Sequence, residues 1–231
     1  MRKLVIGLIV LLVLLVGADF ALRYVATQRI SDAVATRLQL AEKPAVSIAG
    51  FPFITQALNG EYNTISASLP PTAFGPVADV AVNVDLLGVR IPLSDALRGN
   101  VDALTATSSQ VRLSIPVSSV AAAVGLKTLQ VTGTGNTLAV TTMVTVLDQQ
   151  YPITAQLGAS VADSVLHLST GPISGFGITL PAEIVAAIPT VIALDIPLAG
   201  LPFTITSGTV NAVGGNLVVD ATTSTLNLAG R

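Results

Sequence analysis

The sequence predicts an α+β protein made mostly of antiparallel strands behind an N-terminal helical segment. Three observations carry this. An apolar run directly follows Arg2 and Lys3, a helical period continues to Ala41, and beyond Pro44 the pattern changes to an alternation rich in Val and Thr. Apolar residues make up 51% of the 231 residues and charged ones 10%, against roughly 25% charged in ordinary globular domains. So little charge over so much apolar sequence implies either a strand-rich core or an interior that holds something apolar. Net charge is −2, and from Pro44 to Gly230 the only bases are Arg90, Arg98, Arg112 and Lys127, set against ten acids. No phosphate-tracking stripe exists there, so nucleic acid is not an expected partner. There is no Cys, which removes disulfides, thiolate metal sites and thiol chemistry together.

Leu4 to Ala18 is an unbroken apolar run of fifteen residues that Asp19 ends. A basic start followed by such a run has the order and length of an export signal, and Val16-Gly17-Ala18 offers small residues for cleavage before Asp19. Read instead as an uncleaved anchor, it falls short of the roughly 20 residues of a spanning helix, although Phe20 to Leu22 could extend it. Either way the body lies across a membrane from Arg2 and Lys3. The expected organisation is 1–18 as signal peptide or membrane anchor, 19–43 as an amphipathic helix, and 44–231 as a strand-rich body forming one domain with that helix.

Over Asp19 to Ala41, Leu22, Ala26, Ile30, Ala33, Val34, Leu40 and Ala41 share one helical face, with Gln28, Ser31, Asp32 and Gln39 opposite. Arg23, Arg29 and Arg37 make it the basic part of the chain after the extreme N-terminus. Two readings stand: a helix packed on a sheet, or a basic stalk near anionic headgroups.

Beyond Pro44, alternation runs through Tyr62 to Leu69, Val80 to Leu86, Val111 to Ile115, Ile153 to Leu157, Val161 to Ser169 and Phe203 to Val210. Gly133-Thr134-Gly135-Asn136 and Gly214-Gly215-Asn216 are turn signals, the second leading into Leu217 to Leu228. About nine or ten strands are expected. Short helices are expected at Ser94 to Arg98, at Ser118 to Val124 with Ser118 as cap, and at Pro181 to Ile188. The run Thr137 to Asp148 is apolar or small on both faces, which predicts cover on both sides. Val140, Met143 and Val144 there belong to a packed core or line an apolar cavity.

Gly50-Phe51-Pro52-Phe53-Ile54-Thr55-Gln56 spends two of the six Phe on one turn, and Gly200-Leu201-Pro202-Phe203 echoes it. Such a rigid apolar corner is a brace between sheets or a lip that touches something outside. Phe51 is expected to be the exposed ring, and Phe53 and Phe203 the inward ones. Catalytic constellations are missing from the sequence. His167 is the single His and sits in a strand pattern, the acids are scattered singly, and no nucleophile elbow or nucleotide fingerprint occurs. A hydrolase would have to use His167 or one of those acids. No catalytic residue, metal or cofactor is expected.

The string Gly50-Phe51-Pro52-Phe53-x-Thr55-Gln56, preceded by Lys43-Pro44-x-Val46-x-Ile48 and followed by Gly60-x-Tyr62, resembles the LmeA-like phospholipid-binding family of the actinobacterial cell envelope. Leu201-Pro202-Phe203 before a terminal hairpin fits the same family. The resemblance implies a non-catalytic envelope protein that binds phospholipid, linked to mannan elongation on lipoglycans. It also implies a curved antiparallel sheet wrapped around the N-terminal helix, similar to tubular lipid-binding domains. On that reading Phe51, Pro52, Phe53, Leu201, Pro202, Phe203, Val140, Met143 and Val144 are candidates for acyl chains or a rim, and Arg90, Arg98, Arg112 and Lys127 for the headgroup. Phospholipid and a membrane surface are the expected partners. The alternative is a scaffold that docks an envelope glycosyltransferase.

Overall fold

The computed structural model describes the chain apart from residues 1, 38, 99, 101–102, 127–128, 135–137, 147–148, 176–193, 199–204, 206 and 228–231. Its first element is one helix, α1 (Arg2–Arg37), uninterrupted across the whole apolar run and the amphipathic stretch after it. No Pro lies within it, and its Leu and Ala content favours helix. Asp19 therefore ends the apolar run without ending the helix. The buried stripe is Asp19, Ala26, Ile30 and Ser31, which differs from the expected one at both polarity extremes. Leu22 is exposed. Ser31 is buried because its hydroxyl donates to the Pro44 carbonyl at 2.7 Å, tying the helix to the start of the strand region.

Strands and three short helices follow: β1 (Ala45–Ala49), α2 (Phe53–Asn59), β2 (Glu61–Phe74), β3 (Val77–Arg90), α3 (Leu93–Arg98), β4 (Thr105–Pro116), α4 (Val117–Ala123), β5 (Gln130–Thr132), β6 (Leu138–Val146) and β7 (Gln149–Ala162). Then come β8 (Val165–Gly175), β9 (Leu194–Pro197), β10 (Gly208–Val213) and β11 (Asn216–Asn227). The expected class is the one observed: α+β, mostly strands, in open antiparallel sheets with an N-terminal helix. The strands form two sheets, ordered β1-β2-β3-β4-β11-β10 and β5-β6-β7-β8-β9. Eleven strands among the described residues exceed the nine or ten expected, because the short β5 and β9 carry too few residues to show alternation.

Two compact units share this chain: residues 1–70, 84–109 and 224–231 in one, 71–83 and 110–223 in the other. In the first, α1 packs against β1, α2 and α3. β1 pairs antiparallel with β2 in the register Ile48↔Ile65, and both residues are buried. In the second, β6, β7, β8 and β9 pair in sequence, with Ile153, Ala155, Leu157, Leu166, Leu168 and Ile196 facing inward. β7 carries an irregularity between Ala155 and Leu157, and β10 meets β11 across the Gly214-Gly215 turn. The N-cap of α4 is Pro116, two residues before Ser118, and the amide of Val117, the first helical residue, is held by the Gly215 carbonyl at 3.0 Å. The expected helix at 181–188 and the corner at 200–204 lie outside the described residues.

Candidate functional site

The corner at Phe51 is built from the backbone outward. Gly50 has φ +107°, and a Cβ there would collide with the Gln56 amide, so the position requires glycine. The Phe51–Pro52 peptide is cis. The Pro52 carbonyl accepts from the Thr55 hydroxyl at 2.9 Å and from Gln56 Nε2 at 3.5 Å, while Gln56 Oε1 accepts the Asn63 amide at 3.1 Å. Thus the Thr-Gln pair of the string closes the turn and ties it to β2. The turn leads into α2, a helix that alternation and turn signals did not reveal. It runs from Phe53 to Asn59 and ends at Gly60 in the left-handed conformation.

Pro52 is the N-cap of α2 and has no side-chain acceptor to offer. Asp19 of α1 supplies one from elsewhere. Its Oδ1 accepts the Ile54 amide at 2.7 Å, and the residue is only 3% exposed. The cap pins α2, and with it the corner, to a defined level of α1. Phe53 points inward, 2% exposed, with its ring 5.9 Å from that of Tyr62. Phe51 points outward and is 65% exposed. The division between an inner and an outer ring is the one the sequence predicts. Burial pushes the Tyr62 phenol pKa up, and its hydroxyl has no hydrogen-bond partner among the described residues.

Strand β6 corrects a second expectation. Leu138, Val140 and Thr142 are buried, but Met143 on the other face is 45% exposed, so the strand is covered on one side only. Small and hydroxylic residues on the outer face (Ala139, Thr141) imitate the composition of a covered strand, which hid the asymmetry from the sequence. Val144 falls in a stretch described by its backbone alone. Leu201, Pro202, Phe203 and Lys127 lie outside the described residues.

Of the headgroup candidates, two are already neutralised. Arg90 meets Glu61 at 3.0 Å and Arg112 meets Asp220 at 2.6 Å, both on exposed faces. Arg98 is exposed in the last turn of α3. A polar cleft of about 230 Å³ lies beside the Arg90–Glu61 pair, lined also by Asn63, Gly88 and Thr107. It is smaller than the roughly 300–1,000 Å³ of ordinary ligand pockets. His167 Nδ1 lies 2.7 Å from Asp195 Oδ1, its cross-strand partner, a local contact on the sheet surface. The sequence reading missed Asp19, α2, and the exposed apolar residues Phe20, Tyr24, Leu58 and Leu97 near it. The signal for α2 was its flanks, Pro52 before and Gly60 after; for Asp19 no local signal exists, since its partner is 35 positions away.

Fold and corner together define a strand-rich protein with open antiparallel sheets, led by a helix long and apolar enough to cross a membrane. The model of the LmeA-like phospholipid-binding family matches residues 17–222, and the chain belongs to that family. The match starts inside the apolar run of α1, so it takes in Asp19, the corner and strands of both sheets. Searches of curated proteins and of solved structures returned no match.

Proposed function

We propose that the chain is a non-catalytic phospholipid-binding protein of the cell envelope, exported and held at the membrane by α1 as a retained anchor. Membership of a phospholipid-binding family over residues 17–222 is the observation that carries the lipid reading. Acyl chains are proposed to lie against the apolar face of the second sheet, where Leu138, Val140 and Leu157 are buried. Burying such a chain is worth about 0.8 kcal/mol per methylene, so a long chain is held without any chemistry. Leu201, Pro202, Phe203 and Val144 are proposed for the same lining or its rim, whereas Met143 faces the other way on β6. With Arg90 and Arg112 paired to acids, Arg98 and Lys127 are the residues proposed to meet the headgroup.

The downstream role proposed from the family resemblance is support of lipoglycan and mannan elongation. The test of lipid binding is native mass spectrometry and lipid extraction of the full-length protein purified in mild detergent, followed by transfer from labelled vesicles. A co-purifying phospholipid is expected, and the absence of both bound lipid and transfer overturns the reading. The second reading, docking of an envelope glycosyltransferase, has Met143 and Val213 as exposed apolar contacts. A stoichiometric crosslinked protein partner without bound lipid would favour it.

A further inference from the structure

Among the described residues, the exposed large apolar side chains are distributed unevenly. All except Met143 and Val213 lie on α1, at the Phe51 corner, or on α2 and α3, the short helices packed against α1. After the apolar run they continue as Phe20, Leu22, Tyr24 and Val25 on α1, then Phe51, Leu58 and Leu97 on the elements around it. A water-facing surface does not concentrate apolar side chains beside a membrane-competent helix without a reason.

From this we infer that the corner and the exposed faces of α2 and α3 are seated in the headgroup–acyl boundary of the bilayer, on the side away from Arg2 and Lys3. This inference rests on the reading that α1 stays in the membrane. The run Leu4 to Ala18 rises only about 22 Å, at 1.5 Å per residue, against a hydrocarbon core of about 30 Å. Asp19 does not end the lipid-facing surface, because its carboxylate is buried against the Ile54 amide and turned away from the surroundings. With Phe20, Leu22, Tyr24 and Val25 included, the apolar surface extends about 33 Å and matches the core. A core that begins at Leu4 then ends near Arg23, about four residues past Asp19, or roughly 6 Å of rise.

That position decides where the corner lies. The Ile54 amide is fixed to Asp19 at 2.7 Å, and Phe51 is three residues earlier, within about 10 Å of chain. The corner therefore cannot stand off from the bilayer on a stalk. Phe51 and Tyr24 take the place that aromatic residues occupy at membrane interfaces. Arg23 on α1 and Arg98, next to Leu97 on α3, extend their charges to the phosphates while their stems remain among apolar groups. The occupant of this face is the lipid surface that the helix already enters.

The chain has no Trp, so a single Trp reports depth without a background. The experiment uses the full-length protein in vesicles of phosphatidylcholine and phosphatidylglycerol, brominated either near the glycerol end or near the chain terminus. Two variants are compared: Phe51→Trp and Leu14→Trp in the span. Expected is a blue-shifted Phe51→Trp quenched most by the shallow bromines and Leu14→Trp quenched most by the deep ones. Leu14→Trp quenched with Phe51→Trp at a water-exposed maximum and unquenched overturns the seating and leaves the anchor intact. A corner that covers a protein partner would give that same result in these protein-free vesicles. Neither Leu14→Trp nor Phe51→Trp quenched refutes the anchor, and the seating with it. Phe51 is a surface ring, so its replacement by Trp does not disturb the core.

Discussion

Replacing Asp19 by Ala removes the side chain that hydrogen-bonds the membrane-competent helix to the start of α2, beside the corner. Its carboxylate accepts the Ile54 amide at 2.7 Å from a site 3% exposed, and Pro52 cannot substitute as a cap. Loss of an N-cap costs about 0.5–2 kcal/mol, and a hydrogen bond to a charged group is worth about 1.5–3 kcal/mol. Against this stands the relief of a buried carboxylate, whose desolvation is itself unfavourable. The balance is a loss of about 1–2 kcal/mol, a factor of roughly 5–30 in the local opening equilibrium. Hydrogen exchange over α2, measured on the full-length protein in vesicles, reads this directly. The Asp19→Ala variant is expected to exchange faster by that factor at Ile54, with Asp19→Asn, which keeps an acceptor oxygen, losing less. An unchanged rate in Asp19→Ala refutes the cap. Equal acceleration in both variants would assign the effect to the charge and not to the acceptor geometry.

The two Phe of the corner should separate cleanly: Phe53→Ala is expected to cost about 3–5 kcal/mol in denaturant unfolding, and Phe51→Ala less than about 0.5 kcal/mol. Tyr62→Phe is expected to hold or raise stability by about 1 kcal/mol, because the buried hydroxyl it removes has no partner among the described residues. Burial raises the Tyr62 pKa above its ordinary 10.0, so the folded chain keeps the proton longer than the unfolded one. That contribution is complete below the ordinary value and is lost as pH rises through the raised one, so an alkaline unfolding titration should show a loss that Tyr62→Phe lacks. Gly50→Ala, which combines φ +107° with a clash on Gln56, should destabilise by about 1–3 kcal/mol in the same unfolding assay. N-terminal sequencing of the protein from membranes should begin at or near Met1, and a start at Asp19 would refute the retained anchor.

The strand pattern was legible wherever one face is buried and the other is wet. Val111, Leu113 and Ile115 on β4 and Ile153, Ala155 and Leu157 on β7 alternate because a period of two is all that a half-buried strand requires. The corner was legible as a unit, and its inner and outer rings could be assigned because the echo at Gly200-Leu201-Pro202-Phe203 keeps the second Phe and replaces the first by Leu. What sequence could not supply is long-range. Asp19 reads as a polar stop in a hydrophobic run, and nothing local says that the amide of Ile54 needs it. The pairings of Arg90 with Glu61 and Arg112 with Asp220 depend on strand order, so two candidate headgroup residues looked free in the sequence and are engaged in the fold. Length alone did not hide α2: α3 and α4, of six and seven residues, were expected from a Ser at the start and a Gly after the end, whereas α2 opens on Pro52, which offers no polar cap.

Asp19 also bears on how α1 is to be divided. The sequence offers a cut before it, with export segment on one side and body on the other. In the fold that boundary falls inside one helix and beside a buried contact. A cut there would make Asp19 a chain terminus, adding an ammonium group to a residue 3% exposed. The amides of the four residues from Asp19 onward would also lose the carbonyls of residues 15–18 that a continuous helix provides. These losses fall on the turn that holds α2 and, through it, both rings of the corner. A signal segment is dispensable to the body it delivers; here residues 2–18 continue as one helix into the residue that caps the body's first short helix. The retained anchor and the seated corner are thus coupled proposals, and the Asp19–Ile54 bond is the physical link between them.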